Sequence, residues 1–189
     1  MVEACSAREA PVSTAPPDSN SLHLNREVER WFLELRDSIF KYLRSLGCRH
    51  SLAEEITQEA FLRLHRGLLA GSQINDVRAW VFRVARNLWI DSRRERQHYW
   101  TTTREEEDRP DLTLIDSAPD PEQQALQRQR IRLIEQEVLR LPERHRECMQ
   151  LKSQGLRYHE IALALDIPMT AAVDCVRRAV KRLKRRLND

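Results

Sequence analysis

Only four glycines stand among the 189 residues, too few for a chain that turns often. There are eight prolines, and strings of Leu, Ala, Arg and Glu dominate the rest, so helices are favoured over strands by the residues that enter them most readily. No stretch approaches the ~20 apolar residues that a bilayer crossing needs, and the N-terminus lacks the positive start and apolar block of a signal peptide. A cytosolic, all-α protein with no membrane insertion is expected. The cysteines at 5, 48, 148 and 175 form no C-x-x-C pair, which points to reduced thiols. Cys48-Arg49-His50 and His145-x-x-Cys148 each lack a second half-site, so no metal is assigned. The six histidines contain no H-E-x-x-H and the glycines no phosphate loop. Adjacent carboxylates such as Glu54 and Glu55 point apart on a helix rather than converging. These absences argue against an enzyme, a cofactor and a small-molecule substrate.

Charge is segregated instead. The net +3 divides into −2 over residues 1–23, +4 over 24–103, −6 over 104–125 and +7 over 126–189. A basic body with helical periodicity is a candidate polyanion binder. The acidic strip "REEEDRPDLTLIDSAPDPE", with Pro110, Pro119 and Pro121, has too few large apolar groups to fold and reads as a flexible linker over 101–125. Residues 1–22, with "STAPPDSNS", read as a disordered tail. Two small helical domains, 23–100 and 126–189, remain, each of a size to bury its own core.

Three helices are expected in the first. Over 26–46, Val28, Trp31, Phe32, Leu35, Ile39, Tyr42, Leu43 and Leu46 repeat at the spacing of one buried face, and Gly47 ends the helix. A second opens at Ser51, with "SLAE" as a capping box, and buries Leu52, Ile56, Ala60 and Leu64. Its outward face carries Glu54, Glu55, Gln58, Glu59 and Arg63. The third, capped by Asn75 or Asp76, buries Val77, Trp80, Val81, Val84, Ala85 and Leu88. Its other face has Arg78, Phe82, Arg83, Arg86, Asn87, Ile90, Arg93, Arg94 and Arg96, with Trp89, Tyr99 and Trp100 close by. Flat side chains interleaved with guanidinium groups suit exposed bases and their phosphates.

In the second domain a helix runs to about Gln154 and Gly155 breaks it. Tyr158–Leu165, a tight turn and a basic last helix then have the lengths of a helix-turn-helix. Ile161, Ala162, Leu165, Ile167, Ala172, Val176, Ala179 and Leu183 form its core.

The order of these parts resembles a bacterial RNA polymerase sigma factor of the extracytoplasmic-function group within the sigma-70 family. The resembling segments are "AEEITQEAFLRLHRGL" at 53–68, "VRAWVFRVARNLWIDSRRERQ" at 77–97 and "LPERHRECMQLKSQGLRYHEIALALDI" at 141–167. The resemblance implies a sigma domain 2-like unit and a sigma domain 4-like unit. It implies contact with core RNA polymerase through Glu54, Glu55, Gln58, Glu59, Phe61 and Arg63. It implies melting and reading of the −10 element by Arg78, Trp80, Phe82, Arg83, Arg86, Asn87, Arg93, Arg94 and Arg96. The −35 element falls to Tyr158, Thr170, Ala171, Val173, Asp174, Arg177, Arg178, Lys181 and Arg182. Partners would be core polymerase, promoter DNA and an anti-sigma factor.

"DIPMTAAVDC" departs from the family. Asp166 takes a position usually held by glycine, Pro168 one held by serine, and Val173 and Cys175 stand where basic residues are usual. The front of the last helix is left with methyl and base contacts, and the phosphate clamp lies behind it at Arg177, Arg178, Lys181 and Arg182. Unusual or relaxed −35 selectivity is expected. The alternative, a stand-alone helix-turn-helix regulator binding duplex DNA, gives no reason for the arginine-aromatic helix at 77–97.

Overall fold

The structure, a computed structural model, describes residues 19–99, 131, 133, 134 and 136–188. The tail before residue 19 and the acidic linker lie outside the described residues. Six helices are ordered α1 Ser19–Ser45, α2 His50–Leu69, α3 Val77–Tyr99, α4 Glu143–Ser153, α5 Tyr158–Leu165 and α6 Met169–Asn188, with further helical residues at 136–139. There is no strand among the described residues.

α1 begins at Ser19, seven residues ahead of the helix start expected at 26. Leu22, His23 and Asn25 in this added stretch are exposed, and Asn25 Oδ1 lies 2.6 Å from His65 Nε2 of α2 and ties it down. Leu35, Ile39, Tyr42 and Leu43 form its buried face, as their spacing requires. Gly47, at φ 85°, then turns the chain so that the Cys48 N–H reaches the Leu43 carbonyl at 3.0 Å. A left-handed residue is what this helix ending needs. α2 opens at His50 with Arg49 as its cap residue, so Ser51 lies inside the helix rather than capping it. Asp76 does cap α3, its Oδ1 accepting the Ala79 N–H at 2.9 Å.

α1, α2 and α3 pack together, and α4, α5 and α6 form a second group whose short helix α5 rests on α3. The expectation of two separate cores gives way to one contiguous buried cluster. It passes from Ile39, Tyr42, Leu64 and Phe82 directly into Cys148, Leu151, Leu156 and Ile161. A smaller cluster of Leu141, Ala179 and Leu183 closes the far end. Every expected core position of the helix-turn-helix is buried except Ile167, which is half-buried. Asp166 has φ 54° and ψ 52°, the left-handed conformation that a short polar side chain tolerates better than other non-glycine residues.

Candidate nucleic-acid interface

α3 is rotated from its expected orientation, and this changes which aromatic is on offer. Phe82, expected to face DNA, is fully buried and sits 5.5 Å from the Tyr42 ring. Trp80, placed with the core stripe by spacing, is only half-buried. The physical reason is that α3 packs on α1 and α2 along one side and on α5 along another, so two stripes of the helix are covered. The open stripe is Arg83, Asn87, Asp91 and Arg94, positions three or four apart, with Trp80 and Val84 at its edge and partly buried against the core. Trp89 is likewise buried, with the guanidinium groups of Arg96 and Arg93 at 5.2 and 6.0 Å from its ring. It is a support for two arginines and not a free stacking surface. The side chains of Tyr99 and Trp100 lie outside the described residues.

The arginines on the α5 side of α3 are engaged. Arg86 donates from Nε and Nη2 to the two carboxylate oxygens of Glu147 on α4, at 3.2 and 3.0 Å. Arg78 Nη2 donates to the Gln154 carbonyl at 2.9 Å, passing so close to Gly155 that a Cβ there would lie 3.4 Å from it. Arg83 stands 3.8 Å from the exposed Asp166 carboxylate, a loose pair worth little. Burial acts to lower the Arg86 pKa, but the hydrogen bonds and charge of Glu147 outweigh it and hold the guanidinium more firmly charged. Tyr42 lies beneath this pair. Burial, reinforced by the Glu147 charge, pushes its hydroxyl well above the ordinary tyrosine range. Glu147 was not singled out in the sequence, and Tyr42 only as a core position, because nothing local marks the pairing of Arg86 with a carboxylate 61 residues away.

On α2 the acidic face is exposed at Glu54, Glu55 and Gln58 and half-buried at Glu59. Arg63 Nε donates to Glu59 at 2.8 Å, and this bond holds the carboxyl below its usual range. Phe61 does not belong to that face. It is buried edge-on against Phe32, with centroids 5.1 Å apart, because Ala60, Phe61 and Leu64 together fill the side toward α1. Leu62 takes its place on the surface at 51% exposure, three and four residues on from Glu59 and Gln58. Its only signal in sequence is that it breaks the polarity of that face.

On α6, Thr170, Arg177, Arg178, Lys181 and Arg182 are exposed, and Ala171, Val173 and Asp174 half-buried. Cys175 faces inward and so is removed from any DNA contact. Asp174 accepts a hydrogen bond from Arg177 Nη2 at 2.6 Å. Tyr158, at the start of α5, carries Lys152 Nζ 4.7 Å from its ring centroid and borders an open groove of about 560 Å³. Val173, Val176 and Val180 floor this groove, and Arg177, Lys181, Lys184 and Arg185 rim it. Cys48 and Cys148 are poor nucleophiles here. Burial, with the neighbouring Cys175 adding, pushes the Cys148 thiol up to about 12, and burial pushes Cys48 up to about 12 as well.

Asp76, His159 and Glu160 bring ligand atoms within 4.8 Å of one another. Their geometry serves two helix starts. Asp76 caps α3, and Glu160 accepts the Arg157 N–H at the start of α5. Two positive helix ends meeting there oppose a cation, and His159 Nε2 lies 3.5 Å from Asp76 Oδ2. No helix among the described residues is long and apolar enough to cross a membrane.

The family model described as Sigma-70 region 2 matches residues 31–99, which hold most of α1 and all of α2 and α3. The chain is similar to the ECF RNA polymerase sigma factor SigW of Bacillus subtilis, 28% identical over 160 residues that span 82% of this chain and 85% of that one. It is 31% identical over 143 residues to the RNA polymerase sigma factor NccH of Alcaligenes xylosoxydans, spanning 74% of this chain and 75% of that one. In fold it is similar to the sigma factor RpoE from Bartonella quintana, solved in complex with the anti-sigma factor NepR. The TM-score is 0.60 at 21% identity, covering 86% of this chain and 98% of that one.

Proposed function

This chain belongs to the RNA polymerase sigma factors, in their extracytoplasmic-function group, and acts in transcription initiation; from that premise we propose how its residues divide the task. Two functional units, 23–100 and 126–189, are joined by the acidic segment 101–125. The first binds core polymerase through Glu54, Glu55, Gln58, Glu59 and Arg63, with Leu62 as the apolar anchor that Phe61 cannot be.

The same unit opens the −10 element with the outer stripe of α3. Trp80 and Asn87 face the bases, and Arg83, Arg93 and Arg94 hold phosphates, joined by Arg78, Arg86 and Arg96 where DNA reaches them. An extruded base loses stacking worth a few kcal/mol, and a partly exposed indole beside an amide is suited to replace it. The second unit places α6 on −35 duplex DNA. Thr170, Ala171 and Val173 contribute methyl and hydroxyl contacts to bases, and Arg177, Arg178, Lys181 and Arg182 contribute phosphate contacts that are indifferent to sequence. Tyr158 adds a contact at the start of α5. With Asp174 bound to Arg177 and no basic residue at the front of the helix, −35 selectivity is unusual or relaxed.

By likeness to a relative solved with an anti-sigma factor, this chain takes such a partner too. It works in the cytoplasm, as an initiation factor and not as an enzyme in its own right. The observation that supports the scheme most directly is the stripe that sets Arg83, Asn87 and Arg94 on one open face with the partly exposed Trp80 at its edge.

Transcription in vitro with core polymerase, on promoters randomised at both elements, tests the scheme. Protein-dependent initiation that falls with Trp80→Ala and Asn87→Ala is expected. Silence of the polymerase, with duplex binding by the protein alone, would return the stand-alone regulator.

A further inference from the structure

The turn between α4 and α5 delivers a side chain to the last helix. Gly155, at φ 82°, reverses the chain after α4, and the Leu156 N–H closes the turn on the Leu151 carbonyl at 3.2 Å. Leu156 is fully buried, so the turn is pinned to the core. Arg157 and Tyr158 then open α5, with the Glu160 carboxylate accepting the Arg157 N–H. Tyr158 stays 37% exposed and walls the basic-rimmed groove on α6 beside Val173 and Arg177.

Lys152 joins these pieces. It lies in the last turn of α4, and its half-buried side chain folds over the turn that follows. Its Nζ donates to the Leu156 carbonyl at 3.1 Å and stands 4.7 Å from the centroid of the Tyr158 ring. The ammonium is thus fixed by a carbonyl of pinned backbone, and it attracts the negative face of the ring. Lys152 does not line the groove itself: the ring forms the wall and the charge stands behind it. An exposed tyrosine at a helix start otherwise has several staggered side-chain conformations to choose from. Here one of them is selected by a charge from the preceding helix.

This selection bears on how α6 is seated. Contacts to phosphates set the register of a recognition helix, and base contacts then read the sequence. The front of α6, from Met169 to Cys175, carries no lysine or arginine, so its first turns have no charged phosphate anchor of their own. Resting on the reading of α6 and Tyr158 as the −35 contact, we propose that Lys152 is a positioning residue for −35 binding. It orients Tyr158 so that the phenol hydroxyl donates to a backbone phosphate at the front of α6, and it takes no phosphate itself. The rear of the helix is clamped by Arg177, Arg178, Lys181 and Arg182, and the Lys152–Tyr158 pair supplies the second point that fixes its register.

The experiment titrates the full chain onto a fluorescent −35 duplex over a range of salt concentrations. Lys152→Met keeps the aliphatic stem and removes the charge. It is expected to weaken binding about threefold to fivefold, the scale of an exposed cation–π contact. The slope of log affinity against log salt should stay at its wild-type value, whereas Arg178→Ala should lower it by about one. In a Tyr158→Ala background Lys152→Met should cost nothing further, because the side chain it orients is gone. Lys152→Arg, whose guanidinium also lies well on an aromatic face, should restore wild-type binding. Lys41→Met, at an exposed lysine of α1, is the charge-matched control and should bind as the wild type does. A slope that falls by about one in Lys152→Met overturns the proposal, since Lys152 would then be a phosphate contact in its own right. Additive losses in the double variant overturn it too, as does a failure of Lys152→Arg to restore binding at an unchanged melting temperature. If Tyr158→Ala binds as the wild type does while Arg178→Ala weakens binding, α6 keeps its role and the positioning by Lys152 falls alone. If neither variant changes binding, the reading of α6 falls, and the proposal falls with it.

Discussion

Asp174 accepts a hydrogen bond of 2.6 Å from Arg177 one turn further along α6, with both side chains on the face proposed for −35 DNA. On that proposal the acid does two things at once: it places negative charge near the duplex, and it draws Arg177 away from phosphates. Asp174→Asn is expected to tighten binding to −35 duplex severalfold. The slope of log affinity against log salt should steepen by about one as Arg177 gains a phosphate. A salt titration of duplex binding measures both, and an unchanged slope would show that Arg177 never leaves its carboxylate.

Phe82 and Trp80 separate folding from promoter opening. Phe82→Ala removes a fully buried ring from the centre of the cluster and is expected to cost ~3–5 kcal/mol of stability. Trp80→Ala should cost far less stability yet slow promoter opening about tenfold or more, in line with the ~1–3 kcal/mol attributed to base stacking on an aromatic. Thermal melts and the fluorescence of a 2-aminopurine placed in the −10 element give the two numbers. Opening defects that merely track stability in both variants would deny Trp80 its role.

Leu62 is exposed in the middle of the acidic face of α2. Leu62→Glu is expected to leave the melting temperature near that of the wild type while weakening binding to core polymerase about tenfold, since a desolvated apolar anchor contributes more than the charges around it. A competition assay against wild-type protein for core polymerase would reveal an equal partner if this face points elsewhere.

Asp166 holds the turn of the helix-turn-helix at φ 54°. Asp166→Ala loses the short polar side chain that eases this conformation and should cost about 1 kcal/mol, whereas Asp166→Gly should be neutral or slightly stabilising. Urea midpoints of the two variants decide it, and equal midpoints would mean that the turn carries no strain.

The raised thiols set an alkaline limit. Cys48 and Cys148 keep their protons up to about 12 when folded, against an ordinary value of 9.0. Between those values the unfolded chain binds fewer protons than the native one, so stability present below about pH 9 is lost as pH rises toward 12. Cys48→Ala is expected to flatten part of that fall in urea midpoints measured from neutral to alkaline pH. An identical slope in the variant would assign the loss to other groups.

Local chemistry was enough for much of this. The apolar spacing of α1, the glycine that ends it, the Asp76 cap, the three lengths of the helix-turn-helix and the left-handed Asp166 all depend on neighbours within about a turn of chain, and so could be read from the residues in order. What packing alone decided is which aromatic of α3 goes inside, why Phe61 and not Leu62 is core, and that Arg86 meets a carboxylate 61 residues away. Periodicity defines a buried stripe only to within a residue or so, about 100° of helix rotation. It cannot foresee that α3 is covered on two sides. That second covering comes from α5, a helix with no sequence relation to α3, and only the folded chain brings the two together.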